Sequence, residues 1–356
     1  MEGVAFRRIL DRRWNCEDNV GEFLIPPGHS VLHSIGTMSS ESPSRIPIGI
    51  SSCLLGESVR YDGGHKRNAY LVDVLGKYFE YIPFCPEVAI GLGTPRPPIR
   101  LTGNASSPRA VGVKNPQLDV SDALMDYARS VVADAPRLCG YVLKRGSPSC
   151  GMERVKVYDS NGMPSGFSSG LYAGVIMRAF PTLPVEEEGR LSDPILRESF
   201  VTRVFVLVRW QHATCDGMTP GKLVDFHTRH KYLLLSHSEV HYRQLGRLVA
   251  DAGNREIDSL SNEYLAVLMD GLKRRATRRR HSNVLQHIMG YLKRSIDAGD
   301  KAELACAIDE YRNGTVPLVV PMKLVEHHFR RHPNDYIALQ AYMNPYPAEL
   351  GLRNHL

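Results

Sequence analysis

A chain of 356 residues is long enough for two ordinary domains with separate cores. Its composition, 43% hydrophobic and 23% charged, is that of a globular protein, and no run of about 18 apolar residues argues for a membrane-spanning helix or a membrane partner. Seven cysteines in this length is no disulfide-dense pattern and points to a reducing cytoplasm, while a net charge of +6 permits an anionic partner without demanding one.

Residues 1–45 read unlike the rest. Arg7, Arg8, Arg12 and Arg13 precede Pro26-Pro27-Gly28 and a Ser-rich stretch from Met38. Asp11, Glu17 and Asp18 and the lack of an apolar core speak against a targeting peptide. The expectation is a disordered extension or a start placed too far upstream, with Met38 as the natural alternative.

Residues 46–210 alternate strands with helices. Strands are predicted over 46–52, 80–84, 141–144 and 183–187, and helices over 68–78, 120–133 and 168–179. Ser121 is a candidate N-cap, and Ser192-Asp193-Pro194 opens a further helix to about residue 210. The fold class is therefore α/β: a Rossmann-like, mostly parallel sheet domain followed by an all-α domain. That second domain is expected over 220–354, with helices over 223–249, 261–277 and 284–296. Asp300 with Glu303 resembles a capping box, Gly314 is placed to end that helix, and another helix covers 321–331. From Lys222 onward there are 20 Lys and Arg against 15 Asp and Glu, with ten of the 14 histidines, so most of the positive excess lies here.

Three cysteines sit in separate turn-rich segments, each after a predicted strand. They are Cys53 in Ser52-Cys53-Leu54-Leu55-Gly56, Cys85 in Phe84-Cys85-Pro86-Glu87, and Cys150 in Ser147-Pro148-Ser149-Cys150-Gly151. Strand ends of one open sheet lie side by side, so the three can meet. Three thiolates with no fourth would hold an iron–sulfur cluster with one iron open. Ordinary buried cysteines are an equal alternative, and a zinc site a second; this chain lacks the paired Cys-x-x-Cys of structural zinc. Glu87 and Ser147 could share the mouth. A carboxylate there can move a proton and a hydroxyl can hold substrate or water; a helix-start carboxylate and a turn serine are the plainer readings. The loop from Arg60 to Lys66 is polar and flexible, and Gly91 to Pro97 lacks the Gly-Lys-Ser/Thr ending of a phosphate loop.

The helical part carries the basic run Lys273, Arg274, Arg275, Arg278, Arg279 and Arg280. On one helix Arg274/Arg278 and Arg275/Arg279 would be i,i+4 pairs, which favours an anion between them; a solvated basic face is the alternative. His227, His230, His237 and His241 fall within about 80° of one another on an ideal helix, which suits packing or RNA contact better than a metal. Tyr232, Tyr242, Tyr291 and Tyr311 are candidate base-stacking residues, though most such tyrosines belong to cores.

Cys53-Leu-Leu-Gly56 with Val59-Arg60-Tyr61-Asp62-Gly63-Gly64-His65, Cys85-Pro-Glu87 followed by Gly91-Leu92 and Pro95-Arg96, and Ser147-Pro-Ser-Cys150-Gly occur in this order. Together they resemble the thiouracil desulfidase family over roughly residues 46–205. Phe226 to Tyr232 and His327 to Pro333 resemble the helical domain fused to it in bacterial thiouridine desulfidases. The resemblance implies a [4Fe–4S] cluster held by Cys53, Cys85 and Cys150, a fourth iron that takes the sulfur of a thiolated pyrimidine, and assistance from Glu87 and Ser147. The expected reaction is replacement of C=S by C=O with water and no net oxidation. The expected substrate is 4-thiouridine in tRNA, with the basic run contacting RNA and no obligate protein partner. Free thiouracil or a small thionucleoside is the alternative substrate, and a non-catalytic iron–sulfur RNA-binding or sensor protein the contrasting class.

Overall fold

The computed structural model describes residues 45–134 and 138–354, so the extension expected over 1–45 lies, but for Arg45, outside the described residues. Of the described residues, those from 45 to 192 form one compact unit and those from 193 to 354 a second.

The first unit contains strands β1 (Ile46–Ser51), β2 (Phe79–Phe84), β3 (Ile99–Asn104), β4 (Ser107–Gly112), β5 (Gly140–Leu143), β6 (Val155–Tyr158), β7 (Pro164–Ser168) and β8 (Val185–Glu187). One sheet has the order β2-β1-β5-β8 and is wholly parallel. On one face of β1, Ile46, Ile48 and Ile50 are at most 1% exposed, and on the other Gly49 and Ser51 are buried too, as in a central strand covered on both faces. Its helices are α1 (Pro86–Ala89), α2 (Ser121–Ala133) and α3 (Leu171–Ala179). Gly49 lets Tyr141 of the neighbouring strand lie flat on β1: a Cβ there would stand 2.6 Å from the ring.

The helix expected over 68–78 is instead a π turn (Tyr70–Val74) followed by a 3₁₀ turn (Leu75–Lys77). Asn68 Oδ1 accepts the Leu71 N–H at 3.1 Å, and the Tyr81 hydroxyl donates to the Leu71 carbonyl at 2.8 Å. Those side chains intrude on the regular ladder. Ser121 is not the cap but the first residue of α2. Its Oγ accepts the Ala110 N–H at 2.7 Å and donates to Asp119 at 2.6 Å, tying the helix to β4.

The sequence reading missed a second sheet, of order β4-β3-β6-β7, in which only β3 and β6 run parallel. These strands carry Gly, Pro, Arg and Lys on an exposed face. Only Ile99, Leu101, Ala110, Val155 and Val157 enter a core, shared with Leu124 and Leu171. So few apolar positions give little alternation to read.

The second unit is helical: α4 (Pro194–Thr214), α5 (Pro220–His237), α6 (Glu239–Ala250), α7 (Ile257–Lys273), α8 (Arg278–Met289), α9 (Ala298–Asn313), α10 (Val319–Arg331) and α11 (Asp335–Ala338). The helix read with the first domain to about residue 210 belongs here. Asp193 caps it by accepting the N–H groups of Ile195 and Leu196, and Phe200 to Val208 are buried almost without interruption, as in a central helix. The single helix expected over 223–249 is two. Ser238 is extended (φ −154°, ψ 113°), and its Oγ caps α6 by accepting the His241 N–H. Asp297, ahead of the expected Asp300, caps α9, and Gly314 ends it with φ 84°. The core of this unit is formed by Leu223, Leu233, Leu245, Leu260, Leu268, Val284, Ile288, Leu304 and Val325.

Candidate active site

Cys53 lies two residues beyond β1, Cys85 directly follows β2, and Cys150 closes the loop after β5. These strands are adjacent and parallel, with Ser51 level with Phe84 and Ile50 level with Val142, so all three segments leave the same carboxyl edge. The thiols are unbridged. They also sense one another. Cys150 is pushed well above the ordinary thiol value by burial first, then by Glu87, Cys85 and Cys53, with a hydrogen bond from Ser51 opposing. Burial pushes Cys53 up to about 11, with Lys144 and Arg60 opposing it, and burial raises Cys85 too.

The loop that carries Cys150 is held by the start of α3. The N–H groups of Gly170, Leu171 and Ala173 donate to the carbonyls of Gly151, Pro148 and Ser149 at 2.8, 3.1 and 3.1 Å. Gly170 permits this approach, since a Cβ there would stand 2.5 Å from the Ser149 carbonyl carbon. The loop after Cys53 is anchored by Lys66 and Asn68, whose N–H groups donate to the Cys53 and Leu54 carbonyls at 2.8 and 2.9 Å.

Glu87 stands at the second position of α1 and is held on both oxygens. Arg96 donates to Oε2 from Nε at 2.9 Å and from Nη2 at 2.8 Å, and the Ser149 hydroxyl donates to Oε1 at 2.9 Å. Arg96 Nη1 donates further to the carbonyls of Val59 and Gly93, both at 2.9 Å, and the Arg96 N–H to that of Tyr61 at 2.9 Å. One arginine, through its guanidinium and its backbone N–H, thus ties Val59 and Tyr61 to the carboxylate. Ser147 Oγ accepts the N–H groups of Ser149 and Cys150 at 3.2 and 3.0 Å, a turn-closing arrangement. The hydroxyl on Glu87 is therefore that of Ser149, a residue the sequence reading passed over although it lies inside the quoted motif. Arg96 was missed as a partner because nine residues separate it from Glu87 on another loop. Lys144, at the end of β5 and ion-paired with Glu188, was also missed, as was Tyr127, which burial and the nearby Cys85 and Cys150 push up to about 12.

Among the described residues no three His, Cys, Asp or Glu side chains are gathered tightly enough for a single metal ion. A cluster of several irons is wider than one ion and spreads its ligands further apart. Three unbridged thiols leaving one sheet edge match that donor set in kind; burial raises all three, and Ser51, Lys144 and Arg60 oppose it in part.

The basic run does not lie on one helix. α7 ends at Lys273 and Arg274 is extended (φ −70°, ψ 136°), so the i,i+4 pairs expected across it do not form. Thr277 caps α8, placing Arg278, Arg279 and Arg280 in its first turn. Arg274 pairs with Asp270 at 3.0 Å, and Arg280 donates to the carbonyls of His237 and Arg275 at 2.8 and 3.3 Å. Arg275 and Arg279 make no ion pair with a described residue. The histidines are separate packing contacts: His227 on the Tyr264 hydroxyl, His230 on the Phe226 carbonyl, His237 on the Arg274 carbonyl, and His241, now on α6, on Asp270.

Fold and site together define an α/β protein with three convergent thiols at the carboxyl edge of a parallel sheet, joined to a helical domain. The sequence model of 2-thiouracil desulfurase matches residues 48–188, and that of the protein of unknown function DUF1722 matches residues 231–347. The chain belongs to the 2-thiouracil desulfurase family, with a DUF1722 domain following. It is 34% identical over 158 residues to the uncharacterized protein YbgA of Escherichia coli (strain K12), covering 44% of this chain and 94% of that one. It is 31% identical over 108 residues to the uncharacterized protein YbbK of Bacillus subtilis (strain 168), covering 29% and 71%. Among solved structures, the [4Fe-4S]-dependent thiouracil desulfidase TudS is 33% identical, with 44% of this chain and 99% of that chain covered and a TM-score of 0.33. No helix among the described residues is long and apolar enough to cross a membrane.

Proposed function

We propose that this protein is a desulfidase that converts a thiolated uracil to its oxo form, hydrolytically and without net oxidation, and that its substrate is 4-thiouridine in tRNA. The observation that carries the reading is the meeting of Cys53, Cys85 and Cys150 at one sheet edge beside a carboxylate held on both oxygens. The three cysteines would hold a [4Fe–4S] cluster; when bound, it supplies a Lewis-acidic iron that draws electron density from a thione sulfur.

The chain's own residues have separable tasks. Glu87 accepts and returns the proton of the attacking water at its carboxylate. Ser149, donating to Oε1, and Arg96, donating to Oε2, fix which way that carboxylate faces. Ser147 shapes the Cys150 turn and offers its hydroxyl to base or water. Lys144 and Arg60, each held in an ion pair, lie near enough to Cys53 to favour an anionic form there, which suits departure of the sulfur as hydrosulfide. Arg275 and Arg279 are the members of the basic run left for phosphate contacts, which position RNA without reading its sequence. The thiolated base must leave its stack to reach a buried site. The location we infer is the cytoplasm.

The test compares turnover of free 2-thiouracil, 4-thiouridine and 4-thiouridine-containing tRNA by anaerobically prepared full-length protein without an external oxidant. Preference for the tRNA supports the full reading. Equal or better use of the free base confines the reading to small thiopyrimidines, and no turnover of any of them contradicts it.

A further inference from the structure

Several exposed cations of the helical unit are held in ion pairs. Arg229 pairs with Asp225, Arg243 with Glu239, Arg255 with Glu263, Arg274 with Asp270 and Lys323 with Glu326. The end of α8 and the turn after it carry cations that are not so held. Lys293 and Arg294 are exposed there and make no ion pair with a described residue. Lys231 on α5 lies over aromatic rings, its Nζ 5.2 Å from the Tyr336 centroid and 5.8 Å from that of Tyr232.

The same face presents aromatic surface. Tyr291 is 42% exposed and stacks on Tyr336, centroids 5.3 Å apart and planes at 26°. His287, one turn earlier and exposed, stacks on Tyr232 at 6.2 Å and 22°. The hydroxyls of Tyr232 and Tyr291 are 3.4 Å apart. Tyr291 is thus an exposed ring held from below by a second ring, so presenting it costs little side-chain entropy. Rings held flat beside unpaired cations suit an unpaired stretch of nucleic acid, whose bases have apolar faces and whose backbone is anionic. An acidic peptide would engage the cations but gain little from the ring.

We propose that the Tyr291 face, with His287, Lys231, Lys293 and Arg294, binds an unpaired stretch of RNA, stacking a base on Tyr291 and contacting phosphates through the cations. This rests on the polymeric substrate proposed above and identifies the surface that holds it. It also extends RNA contact beyond the basic run, where Arg274 and Arg280 are committed within the protein.

The experiment is fluorescence anisotropy of the full chain with a labelled, unmodified tRNA and a labelled single-stranded oligoribonucleotide, over a series of salt concentrations. Stacking worth about 1–3 kcal/mol per base predicts a roughly 5- to 150-fold weaker Kd for Tyr291→Ala. Tyr291→Phe keeps the ring and retains most of the affinity. Lys293→Ala with Arg294→Ala lowers the slope of log K against log salt by about one to two. If the wild type binds RNA and all these variants match it, the surface is wrong while the polymeric reading stands. If the wild type binds no RNA, both fall. If Tyr291→Ala binds normally while poly-glutamate displaces RNA through Lys293 and Arg294 alone, the face is an anion surface and the stacking proposal is overturned.

Discussion

Arg96→Met removes the only cation bonded to Glu87 among the described residues. Arg96 is buried at 4% exposure and Glu87 largely so at 14%, so water is a poor substitute for the lost partner. The substitution deletes two charge-assisted bonds to Oε2 and leaves the Val59 and Gly93 carbonyls short of a donor. Removing one member of a buried pair costs about 3–5 kcal/mol, because the remaining charge stays desolvated. Trp210 belongs to the other unit, so its fluorescence does not report this loss. Amide exchange of the β1 core does. Protection there should fall by about 140- to 4,000-fold, from about 1.4 kcal/mol per factor of ten. Adding Glu87→Gln should restore part of it, with a coupling energy of about 1–3 kcal/mol. A single-variant cost below about 1 kcal/mol with no coupling would falsify the claim that Arg96 is the electrostatic anchor of Glu87.

Burial holds His230 down to about 3 and His227 down to about 4, so both stay neutral in the folded helical unit at pH values where the unfolded chain already takes up protons. The unfolded state then binds more protons between about pH 4 and 6.5. Stability therefore rises with pH across that window, by up to about 1.4 kcal/mol per pH unit for each histidine. Trp210, stacked on Tyr264 at 5.4 Å and edge-on to Phe226 at 5.0 Å, reports the transition. His230→Phe should flatten the dependence, and denaturation midpoints that do not move between pH 5 and 6.5 would contradict the account. Gly170→Ala should displace the Ser149–Cys150 peptide and lower iron uptake more than tenfold, whereas Gly221→Ala, with nothing within 4 Å of its Cβ position, should leave uptake unchanged.

Much of the catalytic unit was legible from local chemistry. The strand before each cysteine is short, apolar and followed by turn residues, and β1, β2 and β5 lie where that pattern places them. The second sheet was not legible, since its short strands bury so few apolar residues that little alternation shows. The break at Ser238 was masked by a neighbouring apolar run: Leu233 to Leu235 and Leu245 continue a stripe that hides a good N-cap. Around the site, residue types were readable but pairings were not. Nothing in the sequence says that Arg96 reaches back to Glu87, or that Ser149 rather than Ser147 meets the carboxylate. Such contacts depend on how loops from different strands pack. The basic run failed similarly, because Thr277 as a helix cap divides residues that look continuous in charge.

The central claim is that three thiols at one sheet edge hold a cluster required for desulfidation. Iron and acid-labile sulfide should be measured on anaerobically reconstituted full-length protein, with desulfidation of 4-thiouridine followed on the same samples. Wild type and Cys139→Ala, whose thiol is buried in the core, are compared with Cys85→Ala. About four irons and four sulfides per chain in the first two, with iron and turnover lost together in Cys85→Ala, is the predicted result. Unchanged turnover in Cys85→Ala, or turnover by wild-type protein free of iron, would contradict the account.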